Sequence, residues 1–394
     1  MQATRILVVL HELTHTGAPR LTLDTLDAVR QQASVRIVSV EGGSLVNEAR
    51  RLGPTVVLRQ ADFTRILPRR LATGRVVELL ASFASRIRGA REAAVLRRWK
   101  PQLAYVSSAT ALSHVPRLRL TDIPIVLQVH ELGSALEWFE RANPGLILSI
   151  PDRYVAVSDA VARDLVSLLG VPSSAVSVIA PYVLGPVPDA TGRDKDADHV
   201  SLVVGGAGNP HWTKGMDLWL LTAREAVDRL GAERLRFVWV GYRDNQAGLQ
   251  FRTMISKLGL DDVVELVQET DRPFDHFARF DIFAMSSWED AFGLAVLETM
   301  AMGIPVVCFS RTGGPAEVVD GAGVVISEMS PSRMADAIVD LANSPQKRRE
   351  VGSACAARVR ERYQRSTYLA ALTEVFDAAV NSRPTCLPAH AEAE

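Results

Sequence analysis

Twice along the chain, short runs rich in Val, Ile and Leu alternate with longer stretches of helical periodicity, and no other feature constrains the fold as much. Short apolar runs separated by helices read as strands of a parallel sheet covered on both faces. In the first half such strands are expected at 5–10, 35–40, 55–58, 103–106, 125–129, 154–157 and 176–179. In the second half they are expected at 201–204, 236–240, 263–267, 281–286, 305–309 and 323–326. Between the two series lies PYVLGPVPDATGRDKDADHV, rich in Pro, Gly and Asp with no apolar period, which reads as a linker. The expected architecture is α/β, with two doubly wound Rossmann-like domains facing across a cleft. The N-terminal domain takes 1–182, the linker 183–199 and the C-terminal domain 200–365. A last helix at 366–381 is expected to pack back on the N-terminal domain, ahead of a tail at 382–394. In sheets of this kind ligands bind beyond the carboxyl ends of the strands, and a cleft between two domains suits a reaction of two substrates.

Length agrees with this division, since 394 residues make about two domains of ordinary size. With 44 Lys and Arg against 45 Asp and Glu, the net charge of −1 provides no general attraction to nucleic acid or acidic lipid, and no nucleic-acid partner is expected. Cys308, Cys355 and Cys386 are too few and scattered for a disulfide framework or a zinc site. The run ILVVL near the N-terminus is too short for a signal sequence, and no apolar stretch reaches membrane-spanning length, so a cytoplasmic location is expected.

One stretch departs from the neutral average. From Arg65 to Lys100 there are ten basic residues against Glu78 and Glu92, and Val76, Leu79, Leu80, Phe83 and Ile87 recur at helical spacing. Two readings of this basic amphipathic helix stand: a solvated face on a helix beside the cleft, or a patch that meets anionic lipid or a phosphate-bearing acceptor at the inner face of a membrane.

The chemistry concentrates in 281–321, DIFAMSSWEDAFGLAVLETMAMGIPVVCFSRTGGPAEVVDG. A buried strand ends in small polar residues, Trp288, Glu289 and Asp290 make a turn, and a helix starts near Phe292 or Gly293. Strand, turn and helix start together place free backbone N–H groups and a positive helix end at the rim of the sheet, which makes an anion site. Asp290 and Glu298 are eight residues apart, a little over two helical turns, so both can face one cleft and accept hydrogen bonds from paired sugar hydroxyls. At 203–217, VVGGAGNPHWTKGMD, a strand runs into Gly205, Gly206 and Gly208, and Lys214 precedes the next helix; this reads as a glycine turn under a phosphate with a point charge beside it. In the first half Gly17 precedes a helix, His130 ends the strand IPIVLQV, and Ser158-Asp159 reads as a helix cap.

These residues resemble the retaining glycosyltransferases of the family 4 type, which have the two-Rossmann GT-B fold, in the branch that builds bacterial polysaccharides and other glycans. The family pattern is an acidic residue, seven others and a Glu, then Gly-x-Pro-Val-Val and Gly-Gly before another Glu. Here it is met by Asp290, Glu298, Gly303-Ile304-Pro305-Val306-Val307, Gly313-Gly314 and Glu317. The resemblance implies that Glu298 holds the nucleotide ribose, and that Asp290 with the backbone of Phe292, Gly293 and Leu294 holds the transferred sugar and its phosphates. Lys214 and Gly208 would contact the diphosphate, His130 the hexose near its reacting carbon, and Gly17 would let acceptor and leaving phosphate approach the backbone. At position 209 the family carries an Arg where this chain has Asn209, leaving His211 or Arg311 as candidate substitutes. Gly313, Gly314 and Glu317 are open to two readings, a simple turn or a phosphate-side role.

What the resemblance implies overall is a metal-independent hexosyltransferase that needs no cofactor. Its donor would be a UDP- or GDP-hexose and its acceptor a hydroxyl of a saccharide or lipid-linked saccharide. The rival readings are a sugar-nucleotide 2-epimerase of the same shape and a non-catalytic sugar-nucleotide-binding protein, the latter motivated by Asn209.

Overall fold

In a computed structural model of the chain, residues 4–58, 74–118, 120, 123–188 and 201–381 are described, the segment 74–86 by its backbone alone. Among the described residues thirteen strands form in two sheets. The first holds β1 (Thr4–Leu10), β2 (Ala33–Ser39), β3 (Thr55–Val57), β4 (Leu103–Ser107), β5 (Ile125–Val129), β6 (Arg153–Ala156) and β7 (Val176–Val178). The second holds β8 (Leu202–Ala207), β9 (Leu235–Tyr242), β10 (Val264–Gln268), β11 (Ile282–Met285), β12 (Val306–Phe309) and β13 (Val324–Ile326). Every pairing is parallel. The central strands β4, β5, β11 and β12 are buried at every residue, whereas edge strands β7, β10 and β13 are only partly covered. The runs LAYVS, IVLQV, IFAM and VVCF are therefore apolar on both faces because helices cover both.

The strand orders are β3-β2-β1-β4-β5-β6-β7 and β10-β9-β8-β11-β12-β13. In each sheet the direction of winding reverses once, between β1 and β4 in the first and between β8 and β11 in the second. Such a switch point parts the loops at the carboxyl ends and opens a crevice there. The two-domain Rossmann-like architecture expected from the strand rhythm is the one observed.

The chain returns to its first domain at the end. In helix Arg365–Asn381 the side chains of Tyr368, Leu372, Val375, Phe376 and Ala379 are buried against the N-terminal sheet. Phe376 meets Tyr105 edge-on with centroids 5.2 Å apart, and Tyr368 meets Tyr182 at 5.0 Å. Gln128, buried in β5, accepts a hydrogen bond from the Tyr105 hydroxyl and donates to that of Tyr368 at 2.9 Å, so its amide is satisfied within the core. Arg365 locks the helix start by donating to Asp24 at 2.8 Å.

The basic stretch is a helix at Gly74–Trp99, and of the apolar stripe the spacing indicated only Ile87 has a described side chain. Ile87 is 42% exposed, while Ala93 and Leu96 are buried, as is Glu92, which pairs with Arg36. Arg65, Arg69 and Arg70 lie outside the described residues, as do the side chains of Val76, Leu79, Leu80 and Phe83 and most of the linker. Among the described residues no helix is long and apolar enough to cross a membrane.

Phe376 ties the last helix to the first sheet. Phe376→Ala should lower the stability of the N-terminal domain by about 3 kcal/mol, read as a fall in the urea midpoint; an unchanged midpoint would show that the helix adds nothing to that core.

Candidate active site

Between the carboxyl ends of the two sheets lies a cavity of about 410 Å³. Gly17, His130, Gly208, Asn209, Lys214, Asp290, Phe292, Gly293, Leu294 and Glu298 all line it, so the structure brings these ten candidates from the two domains around one space. Arg20, Glu269 and Thr270 line it as well.

The C-terminal half is built from two loops held against each other. After β11, Ser286 and Ser287 are buried, and the Trp288 amide donates to the Thr213 carbonyl at 2.8 Å. Gly215, at φ +60°, passes so close beneath this loop that a Cβ there would lie 1.9 Å from the Ser286 carbonyl oxygen. Lys214 is thereby carried into the cavity, where its Nζ lies 2.6 Å from Asp290 Oδ2. Asp290 is fixed further by accepting from the Phe292 amide at 3.2 Å and by its own amide donating to Thr312 at 2.8 Å. Gly293, left-handed at φ +82°, then starts the helix Leu294–Ala301 and leaves its first amides facing the cavity. This helix carries Glu298 on its inner face, 3% exposed.

Glu298 has one cation beside it, and it comes from the other domain. Arg20, in the helix Gly17–Val29 that follows β1, places Nη1 at 3.3 Å from Glu298 Oε1. Burial raises the Glu298 pKa to about 7, against the pull of Arg20. Gly17 on the same turn approaches the opposite loop so closely that a Cβ would lie 2.8 Å from Leu294 Cδ1.

At the end of β5, His130 is lowered to a pKa of about 4 by enclosure in the cavity wall, which keeps its imidazole neutral near pH 7. Its Nε2 lies 3.4 Å from the Ser107 hydroxyl. The next residue, Glu131, accepts from the Ser108 hydroxyl at 2.5 Å and the Ala109 amide at 3.2 Å, supporting Ser108 at φ +92°. His130 and Glu131, with His11, Glu12 and Ser107, also line a smaller cavity of about 120 Å³ on the N-terminal side, so His130 borders both spaces.

Several expectations need correction. Gly205 and Gly206 do not form the phosphate turn: both lie within β8, where Phe280 packs over one and Trp219 and Trp239 over the other, and only Gly208 stands at the strand end. His211 caps the short turn Trp212–Lys214 through Thr213, and neither it nor Arg311 lines the cavity. Glu317 has no phosphate-side position. Its carboxylate crosses to the N-terminal domain and accepts the amides of Asp159 at 2.9 Å and Ala160 at 2.7 Å, the first of helix Asp159–Ser167. Ser158 caps that helix, accepting from Val161, and also donates to the Ala291 carbonyl at 2.7 Å. Glu289 does the equivalent for helix Ser134–Ala142, accepting from the Ser134 hydroxyl at 2.6 Å and its amide at 3.2 Å.

Arg20 escaped the sequence reading. A cation in the first turn of a helix opposes the helix dipole, and that local conflict is the signal that marks it.

Residues 16–183 match the family model described as Glycosyltransferase Family 4, and residues 198–344 match the one described as Glycosyl transferases group 1. Among curated proteins, the D-inositol 3-phosphate glycosyltransferase of Kineococcus radiotolerans is 27% identical over 66% of this chain and 68% of its own length. The D-inositol 3-phosphate glycosyltransferase 2 of Catenulispora acidiphila is 28% identical over 66% of each. The solved structure of Anabaena Alr3699/HepE in complex with UDP and glucose superposes with a TM-score of 0.74 at 18% identity, covering 96% of this chain and all of that one. The sucrose-phosphate synthase of Thermosynechococcus elongatus does so at 0.71 and 16%, covering 95% and 98%. At these identities the structural likeness is one of fold.

The raised Glu298 pKa has a stability consequence. A carboxyl whose folded pKa lies above its unfolded value stabilises the fold at low pH, and this contribution is lost as pH rises from about 4.5 through about 7. Glu298→Gln should therefore match wild type at pH 4 and be the more stable protein at pH 8, by on the order of 3 kcal/mol. Thermal melts at both pH values test this, and equal stability at pH 8 would mean that the carboxylate is not held at a cost.

Proposed function

We propose, from the premise that the chain belongs to the family 4 type glycosyltransferases with the GT-B fold, that it moves a hexose from a nucleoside diphosphate sugar to a hydroxyl of a saccharide or lipid-linked saccharide, with retention at the anomeric carbon. The observation that carries this reading is a cavity between the two sheets with Lys214, Asp290, Glu298 and a helix N-terminus on one side and His130 on the other. The relatives named inositol phosphate glycosyltransferases, and the solved neighbour holding UDP and glucose, support glycosyl transfer from a sugar nucleotide to a hydroxyl-bearing acceptor.

In this reading Glu298 accepts hydrogen bonds from the ribose hydroxyls. Buried as it is, its carboxyl group needs a hydrogen-bonding partner, and the ribose hydroxyls supply donors. The diphosphate lies against the first amides of Leu294–Ala301 and beside Lys214, and this preorganised charge stabilises it as it leaves, without a metal. Asp290, held between Lys214 and the Phe292 amide, orients the hexose hydroxyls. His130, neutral, serves as a hydrogen-bond partner near the reacting carbon, and the smaller cavity it borders holds the acceptor.

Transfer on one face of the sugar needs no protein nucleophile. The bond from the anomeric carbon to the phosphate oxygen breaks, the acceptor oxygen bonds to that carbon on the same face, and the departing phosphate oxygen takes the acceptor proton.

Release of nucleoside diphosphate with a panel of UDP-, GDP- and ADP-hexoses and saccharide acceptors tests this. The expected product has the donor's anomeric configuration by proton NMR. Glu298→Ala and Lys214→Ala should each lower kcat/KM at least 100-fold with unchanged circular dichroism. Tight nucleotide binding without release to any acceptor would overturn transfer, an inverted product would overturn retention, and donor turnover without acceptor would point to an epimerase.

A further inference from the structure

The cavity has two permanent cations among the described residues that line it, Arg20 from the N-terminal domain and Lys214 from the C-terminal domain, and each faces a carboxylate. The two pairs are not equivalent. Lys214 sits 2.6 Å from an Asp290 that is itself tied to the backbone. Arg20 touches Glu298 through one nitrogen at 3.3 Å and keeps a quarter of its side chain exposed, so most of its five N–H donors are uncommitted.

From these contacts we infer that Arg20 is the second diphosphate-binding cation of this chain, parked on Glu298 while the site is empty and turned to the phosphates when ribose hydroxyls take over the carboxylate. The inference rests on the reading of the cavity as a nucleotide-sugar site and adds a residue to it.

Charge requires such a residue. A diphosphate diester brings two negative charges into a cavity whose existing pairs are already neutral, and one Lys shared with Asp290 leaves most of that charge uncompensated. Asn209, at the end of the Gly208 turn, lines the same cavity and supplies no charge. Arg20 has the right shape, since a planar guanidinium can grip two phosphate oxygens at once. Its helix also starts beside the donor helix: a Cβ on Gly17, three residues earlier, would lie 2.8 Å from Leu294 Cδ1, and Arg20 and Leu294 line the same cavity. The exchange is matched on the other side, because two ribose hydroxyls replace the hydrogen bond Glu298 loses.

The test is calorimetric binding to the full chain of UDP, GDP or ADP, whichever binds wild type best, and of the matching nucleoside. Arg20→Ala should weaken the diphosphate at least 10-fold while the nucleoside binds as well as before or better, since Glu298 is then free for the ribose. Adding Asn209→Arg to Arg20→Ala should recover diphosphate affinity to within about fivefold. Thermal melts of Arg20→Ala and Arg20→Lys establish that the variants are folded. Equal weakening of nucleoside and diphosphate would make Arg20 a brace between domains and overturn the inference, as would an unchanged diphosphate affinity in Arg20→Ala. Wild type that binds no nucleotide at all would instead bring down the site reading itself.

Discussion

Two carboxylates of the C-terminal domain, Glu289 and Glu317, rest on the first amides of helices Ser134–Ala142 and Asp159–Ser167 in the N-terminal domain. Each satisfies backbone donors that a helix start leaves open and meets the positive end of a helix dipole. Because those helices follow β5 and β6, and the carboxylates follow β11 and β12, the contacts hold the carboxyl ends of both sheets face to face. The cavity is the space that remains between them. These charged, hydrogen-bonded contacts stand beside apolar ones across the same interface, such as Leu294 against Gly17.

Inside that interface the fold accepts costs that ordinary packing would avoid. Glu298 is buried with a single cation at moderate distance, and its pKa is pushed up to about 7. Ser108 holds a positive φ at the end of β4, where Glu131 supports it. Ser108 lies in the loop after β4 and Glu298 in the helix after β11, each beside the switch point of its sheet. Stability elsewhere offsets these costs, in the doubly covered central strands and in the aromatic seam that binds helix Arg365–Asn381 to β4 and β5.

Much of this was legible in the residues. The strand rhythm placed all thirteen strands, since an apolar run buried on both faces is a local pattern. The eight-residue step from Asp290 to Glu298 indicated a shared wall because helix geometry converts spacing into direction. Spacing misled where neighbours in space decide the outcome. Gly205 and Gly206 look like a phosphate turn in the text, yet they are flat patches under Phe280, Trp219 and Trp239. Ile87 has the period of a core residue, yet it is exposed, while Glu92 nearby is buried in a pair with Arg36.

By itself the sequence determined two parallel sheets, the loops that carry the chemistry and the acidic pair of the C-terminal wall, because strand burial, turn residues and helix periodicity act between near neighbours in the chain. Only the tertiary structure decided that Arg20 answers Glu298, that Glu289 and Glu317 clasp the other domain, and that His130 stands between two cavities. Those contacts join residues more than a hundred positions apart, and their strength comes from burial and helix ends that exist only once both domains have folded and met.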